Sequence, residues 1–478
     1  MPTHTYTKKK VIYSAIASND LEEMRNISNF YYNISGIYHK ISNYLAYLYR
    51  YDWYVATETR GSTINEKKIL KDLSNTLNFL DNANIKKICG EMALEVVING
   101  AYYGYIVPSA KGLTIQQLPI KYCRSRFSVR GMPVVEFNMQ YFDTFTDYEY
   151  RMKILKMFPE EFLKGYHMYR QGKLPRDPGD YVGKWYVLDP GSAFKFNFNG
   201  SDIPILITAV PALIDLDAAQ DLDRRRQMQK LLKIIVQKLP LDKNGDLIFD
   251  VDEARDIHNN AVKMLHNTIN TDVLTTFTDV EAIDLAGNTM TTSTDELEKV
   301  ERAVFNAMGI SQNLFNANGN LSLSMSVLND ESTMRNLLLQ FGMFFDRIID
   351  ALNSSKDYNF KFYMLETTQY NYKDLAKLYK EQTQMGYSKM LPQIALGHSQ
   401  SFILNSIHFE NDILHLSEIM IPPLTSATIN GDDILGRSGK NNSNKTQDTS
   451  TENKTGGRPE KADNEKSDKT IANKESMN

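Results

Sequence analysis

The sequence predicts an α+β fold built from more than one compact unit, on three observations. Apolar residues recur at helical spacing in long windows free of proline, short β-forming runs cluster between residues 101 and 142, and "NFKFYMLE" at 359–366 reads as a strand set among helices. With 478 residues, 42% of them hydrophobic, the chain can bury a sizeable core, and its length suggests two to four units.

In chain order, Phe30, Ile34, Ile37, Ile41, Leu45 and Leu48 fall at helical spacing and predict one amphipathic helix over 30–48. Tyr31, Tyr32, Tyr38, Tyr44, Tyr47, Tyr49 and Tyr51 are interleaved there, and packing against a core is the commoner use of such a face than base stacking. "YDWYVATE" then reads as a strand, and a second helix is expected over 66–99. "YYGYIVPS", "LTIQQLP", "CRSRFSV" and "VVEFNMQYF" follow as β-rich runs between Gly and Pro punctuation.

From Pro211 to Leu239 the chain runs without Gly or a further Pro, with proline in the first turn where its missing N–H costs least. That predicts a helix of about 40 Å at 1.5 Å per residue. Its acids lie in the first half and its bases in the second, as the helix dipole prefers. Arg224, Arg225 and Arg226 could touch phosphates, although a solvated face explains them equally. Residues 240–292 read as a small α/β insert of turn, short strand, helix and strand-like run.

A second long helix opens at Ser293 and ends at Met308, with Ser293 and Glu296 forming a capping box and Leu297, Val300, Val304 and Met308 on one face. The stretch that follows, 309–328, is polar and almost uncharged. A third helix is expected over 329–352, with Met334, Leu337, Leu338, Phe341, Phe345, Ile348 and Leu352 as its apolar stripe. Helices are expected near 372–385, 388–396 and 399–416. Residues 431–478 contain no aromatic residue and should be disordered, lacking apolar surface to offset ordering entropy.

Several chemistries are suggested and fail. "DKNGDLIFDVDE" at 242–253 places acids at calcium-loop spacing, but Leu247 stands where the sharp turn needs glycine. "GDDILGRS" at 431–438 has Arg437 where a phosphate loop has lysine. The histidines show no metal spacing, and no hydrolase or dinucleotide fingerprint occurs. Cys89 and Cys123 are too few for a disulfide framework and are expected to be inert buried thiols in a reducing compartment. The expectation is therefore a non-enzyme with no cofactor and no metal. The N-terminus makes a poor secretory signal, and no window approaches the ~20 apolar residues of a membrane span. A net charge of −4 argues against a dedicated, tight nucleic-acid binder.

The order of long helix, α/β insert, long helix, polar loop and helix, bracketed by an α+β layer, resembles the portal proteins of tailed bacteriophages. "SGIYHKISNYLAYLYRYDW" at 35–53 is similar to their N-terminal helix and the strand after it. "LPIKYCRSRF" at 118–127 is similar to a wing segment of one subgroup, and "FNAMGISQNLFN" at 305–316 to the family's "fGvp..llg" junction, with Ser311 or Gln312 replacing its proline. The resemblance spans residues 28–424.

It implies a wing at 1–210, stem helices at 211–239 and 293–308, a clip at 240–292, a tunnel loop at 309–328, a tunnel helix at 329–352, and a C-terminal wing or crown region at 353–430. It further implies a ring, usually of twelve subunits, at one capsid vertex, through which DNA is packaged and ejected. Expected partners are other copies of the chain, double-stranded DNA passing non-specifically, the terminase large subunit, a head–tail adaptor, and major capsid and scaffolding proteins, with no membrane. The expected location is the virion, and the host cytoplasm during assembly. On this reading Asn313, Asn316, Asn318, Asn320, Ser322 and Ser324 line the channel, Leu314 and Phe315 anchor the loop, and Asn244, Asp246, Asp250 and Glu253 form the docking face of the clip. Another phage connector or collar subunit, and a cytosolic enzyme whose site no motif reveals, remain as alternatives.

Overall fold

The first helices are set by their caps. Helix α1 spans Lys9–Ala17, α2 Leu21–Ile34 and α3 Gly36–Ala46. Asp20 accepts from the Glu23 N–H at 3.1 Å, and Ser35 accepts from the Tyr38 N–H at 3.4 Å. The single helix expected over 30–48 is thus two helices, because extended Ser35 ends α2 and caps α3, and the bend buries both Tyr31 and Tyr38. The helix expected over 66–99 is likewise divided, into α4 (Glu66–Asn82) and α5 (Ile85–Asn99), with the left-handed Asn84 between them.

The computed structural model describes residues 6–60, 65–107, 112–129, 131–198, 200–231, 233–238, 242, 248–265, 271–276, 292–310, 321–353, 355 and 357–419. Within these, side chains are described except at 226–238, 261, 262, 264, 265, 271–276, 292–295, 321–326, 417 and 418. One compact unit runs to Ile413; of a second, beginning at Leu414, only 414–419 are described.

In the first unit, β1 (Trp53–Thr59) precedes α4. After α5 come β2 (Ala101–Val107), β3 (Thr114–Gln117), β4 (Cys123–Arg124), β5 (Ser128–Val129), β6 (Met132–Pro133) and β7 (Glu136–Asn138). Helices α6 (Tyr148–Met157) and α7 (Glu160–Arg170) were not expected from the sequence; α6 buries only Leu155, which leaves little apolar pattern to read. Strands β8 (Trp185–Val187) and β9 (Ala193–Asn197) complete two three-stranded sheets, ordered β3-β2-β9 and β4-β7-β8. The chain is a mixed helix and small-sheet protein, α+β as the sequence predicts.

Helix α8 covers Val210–Leu231 and stops short of the expected Leu239. Lys233–Lys238 forms strand β10 instead, paired in parallel with β11 (Thr271–Thr276) so that Ile235 faces Val273. The absence of Gly and Pro does not secure a helix: the β-branched run Ile234, Ile235, Val236 fits a strand better. Parallel neighbours need a crossover, and α9 (Val251–Leu265) supplies it. Helix α10 (Thr292–Met308) lies one residue from expectation.

Helix α11 runs from Leu321 to Leu352, eight residues earlier than expected. No Gly or Pro interrupts 321–328, and extending an existing helix is far easier than nucleating one. Its stripe is buried as expected at Met334, Leu337, Leu338, Phe341, Phe345 and Ile348, with Phe344 and Ile349 added, whereas Leu352 is 50% exposed. Strand β12 (Tyr358–Met364) pairs antiparallel with β1, Trp53 opposite Met364, and joins the two ends of this unit. The chain continues through α12 (Tyr372–Gln384), α13 (Leu391–Ala395) and α14 (Gln400–His408). The main core is phenylalanine-rich: Phe194 and Phe344 lie 4.4 Å apart, and Phe196 and Phe341 4.8 Å. A second core gathers Phe137, Phe142 and Phe162 under α7.

Candidate functional site

Helices α8 and α10 pack together and bury Leu213, Leu216, Val304 and Met308 at one end of the pair. Further along, burial gives way to a groove of about 380 Å³ lined by Ala219, Leu222, Leu297 and Val300, with Leu222 half exposed. The outer faces carry local ion pairs, Arg224 to Asp221 at 3.3 Å and Arg302 to Glu298 at 3.0 Å. Arg224 and Arg225 are exposed, and Arg226 lies on α8 with its side chain outside the described residues. Lys9 of α1 reaches Asp215, which fixes α1 to the start of α8.

The exit from α10 is a Schellman turn. The Gly309 N–H donates to the Asn306 carbonyl at 3.1 Å and the Ile310 N–H to the Phe305 carbonyl at 3.0 Å. Gly309 sits at φ +73°, where a side chain would be strained, and Ile310 is buried beside Phe305 and Met308. This closes α10 immediately before the polar stretch. Asn313, Leu314, Phe315, Asn316, Asn318 and Asn320 lie outside the described residues. Ser322 and Ser324 fall within the first turn of α11 rather than in a loop.

Helix α11 is held by a polar node that the sequence reading missed. Tyr44 of α3 donates to Asp330 Oδ2 at 2.9 Å, and Asp330 is 2% exposed. Burial pushes its carboxyl up to about 6; the neighbouring Glu331 charge adds to the rise and the Tyr44 hydrogen bond opposes it. Glu331 Oε1 accepts from Thr368 Oγ1 at 2.8 Å and Asn371 Nδ2 at 3.1 Å, while its carbonyl accepts from Tyr49 Oη at 3.0 Å. Arg335 adds a bond to Glu366 at 2.8 Å. The visible signal was "NDE", an acidic pair at the edge of a nearly uncharged stretch.

In the insert, Asp250 and Glu253 organise the start of α9. The Asp250 N–H donates to Glu253 Oε2 at 3.3 Å, and Asp250 Oδ1 accepts from the Val251 N–H at 2.7 Å. Both acids are exposed, as are Ile248 and Val251 beside them; Asn244 and Asp246 lie outside the described residues. Among the described residues no cluster could hold a metal ion, and no helix is long and apolar enough to cross a membrane. Cys89 and Cys123 are both buried, and burial raises both thiols.

No known protein family matches the chain, and no curated protein does. Among solved structures it is similar to a chain of the neck of an empty GTA particle computed with C6 symmetry. The TM-score is 0.39 at 9% identity, over 78% of this chain and 91% of that one. At that level the superposition establishes neither a common fold nor a common function.

Proposed function

We propose that this chain is a phage portal protein, one subunit of a ring of about twelve that conducts DNA during packaging and ejection at a capsid vertex. The observation that supports this most is the succession of α8, the β10-α9-β11 insert, α10 and α11. Two packed helices carry a parallel-paired α/β insert between them, and the second leads through a Schellman turn into a polar stretch and a 32-residue helix. The insert is then the clip, whose exposed Ile248, Asp250, Val251 and Glu253 offer a mixed apolar and acidic face to terminase and afterwards to a head–tail adaptor.

The stretch at 311–320 is the proposed channel lining, with Asn313, Asn316, Asn318 and Asn320 as its neutral contacts. A lysine-rich lining would neutralise phosphates, and binding strengthens steeply with each counterion released, so such a conduit would stall its cargo. Amides give weak contacts that break singly. Introducing Asn316→Lys together with Asn320→Lys into phage particles should slow packaging and ejection in particles of normal composition. Unchanged packaging and ejection would refute the role given to this stretch.

A further inference from the structure

The groove between α12 and α13 gathers lysines that form no ion pair with a carboxylate among the described residues. Lys377, Lys380 and Gln384 of α12 face Lys389 and Gln393 across a cleft of about 530 Å³. Lys373, Lys377, Lys380 and Gln384 recur at spacings of four, three and four residues, so they lie within about 60° of one another around the helix. Asp374 and Glu381 border this stripe, three and four residues from Lys377, with Glu381 about 40° from it around the helix. Like charges three and four residues apart oppose helix formation. Among the described residues none of Lys373, Lys377, Lys380 and Lys389 meets a carboxylate, whereas Lys86, Lys184, Lys195 and Lys361 each do.

The walls of the groove are fixed by a different cation. Arg50 stacks over the Tyr372 ring at 4.3 Å at the start of α12, and donates to the carbonyls of Ala395 at 3.1 Å and Leu396 at 3.3 Å at the end of α13. Its Nε lies 3.5 Å from the buried Asp52. Gly386, at φ +97°, ends α12, and the Tyr387 N–H returns to the Gln382 carbonyl at 3.2 Å. The walls of the groove are therefore held by contacts within the chain that leave its exposed lysines uninvolved.

We propose that this groove binds the phosphate backbone of duplex DNA. From Lys373 to Lys380 is about 10 Å of helix, over which one DNA strand presents about three phosphates. Gln384 and Gln393 add neutral amide donors of the kind that position a backbone without reading sequence. The inference rests on a groove within one subunit and is independent of ring formation.

The test is fluorescence anisotropy of a short labelled duplex with the purified full chain over a salt series, for the wild type and for Lys377→Gln/Lys380→Gln/Lys389→Gln. All three lysines are exposed, so circular dichroism and thermal melting should match the wild type. The expected result is affinity at least roughly tenfold weaker at low salt, and a slope of log affinity against log salt reduced by about 2–3. The triple arginine variant should retain binding. Unchanged affinity and slope in the glutamine variant would overturn the proposal. So would displacement of the duplex by low inorganic phosphate, which marks a small-anion site, or lysine-dependent self-association without an effect on DNA, which marks a second copy as the occupant.

Discussion

Helix α11 and the α8–α10 pair are both long helical features, yet they are stabilised in opposite ways. Phe341, Phe344 and Phe345 of α11 are completely buried by their own subunit, packed on Phe194, Phe196 and Phe362. The α8–α10 pair buries its base and then leaves a groove with a half-exposed leucine, edged by local ion pairs that are worth little alone. One element is complete within a single chain; the other retains apolar surface, which neighbouring copies would cover in the proposed ring.

The largest effect should come from the complete element. Phe341→Ala should cost about 3–5 kcal/mol in denaturant unfolding, since it removes a ring from the centre of the phenylalanine cluster. An effect below about 1 kcal/mol would mean α11 is not held as described. Next is Asp52, fully buried, which accepts from Thr367 Oγ1 at 2.8 Å and pairs with Lys86 and Arg50. Asp52→Ala should cost about 3 kcal/mol by leaving those cations partly desolvated and unpaired.

Asp330 gives a smaller effect with a definite sign. Its carboxyl titrates near 6 in the folded protein against about 3.9 unfolded, so the folded state holds the proton more tightly. Stability from this group is fully present below pH 4, is lost as pH rises to 6, and stays lower above that. Asp330→Asn keeps an acceptor for Tyr44 and removes the ionisation penalty. It should therefore stabilise the protein at pH 8 by on the order of 1–3 kcal/mol and flatten thermal stability between pH 4 and 6. A destabilised variant at pH 8 would contradict the burial assigned to Asp330.

Leu222→Ser should have the smallest effect on the subunit and the most selective effect on assembly. Being half exposed, it should change unfolding by less than about 0.5 kcal/mol while lowering the fraction of assembled rings seen by mass photometry. Loss of fold instead would place Leu222 in the intramolecular core.

How much of this was legible depended on whether a signal was local. Helix α10 and strands β1 and β12 were read closely because each carries its own pattern and stops at its own breaker. The breaks at Ser35 and Asn84 were missed, since an apolar stripe continues across both and only packing decides that the chain turns there. Strand β10 was read as helix because its β-branched run follows α8 without punctuation, and its partner β11 lies beyond α9. The Asp330 node was invisible for the same reason: Tyr44 and Thr368 reach it from distant parts of the chain. The lysine spacing on α12 stood in the sequence, but the wall supplied by Lys389 and Gln393 emerges only when α13 folds back. Of the proposed channel residues, the structure describes only the backbone of Ser322 and Ser324.

In the proposed portal ring, neighbouring copies surround an axial hole and cover the incomplete α8–α10 surface. Electron-microscopy class averages of the purified full chain test it directly. Rings of regularly repeated 54.7 kDa subunits with a central hole are the expected result, and a discrete monomer at micromolar concentration would contradict it.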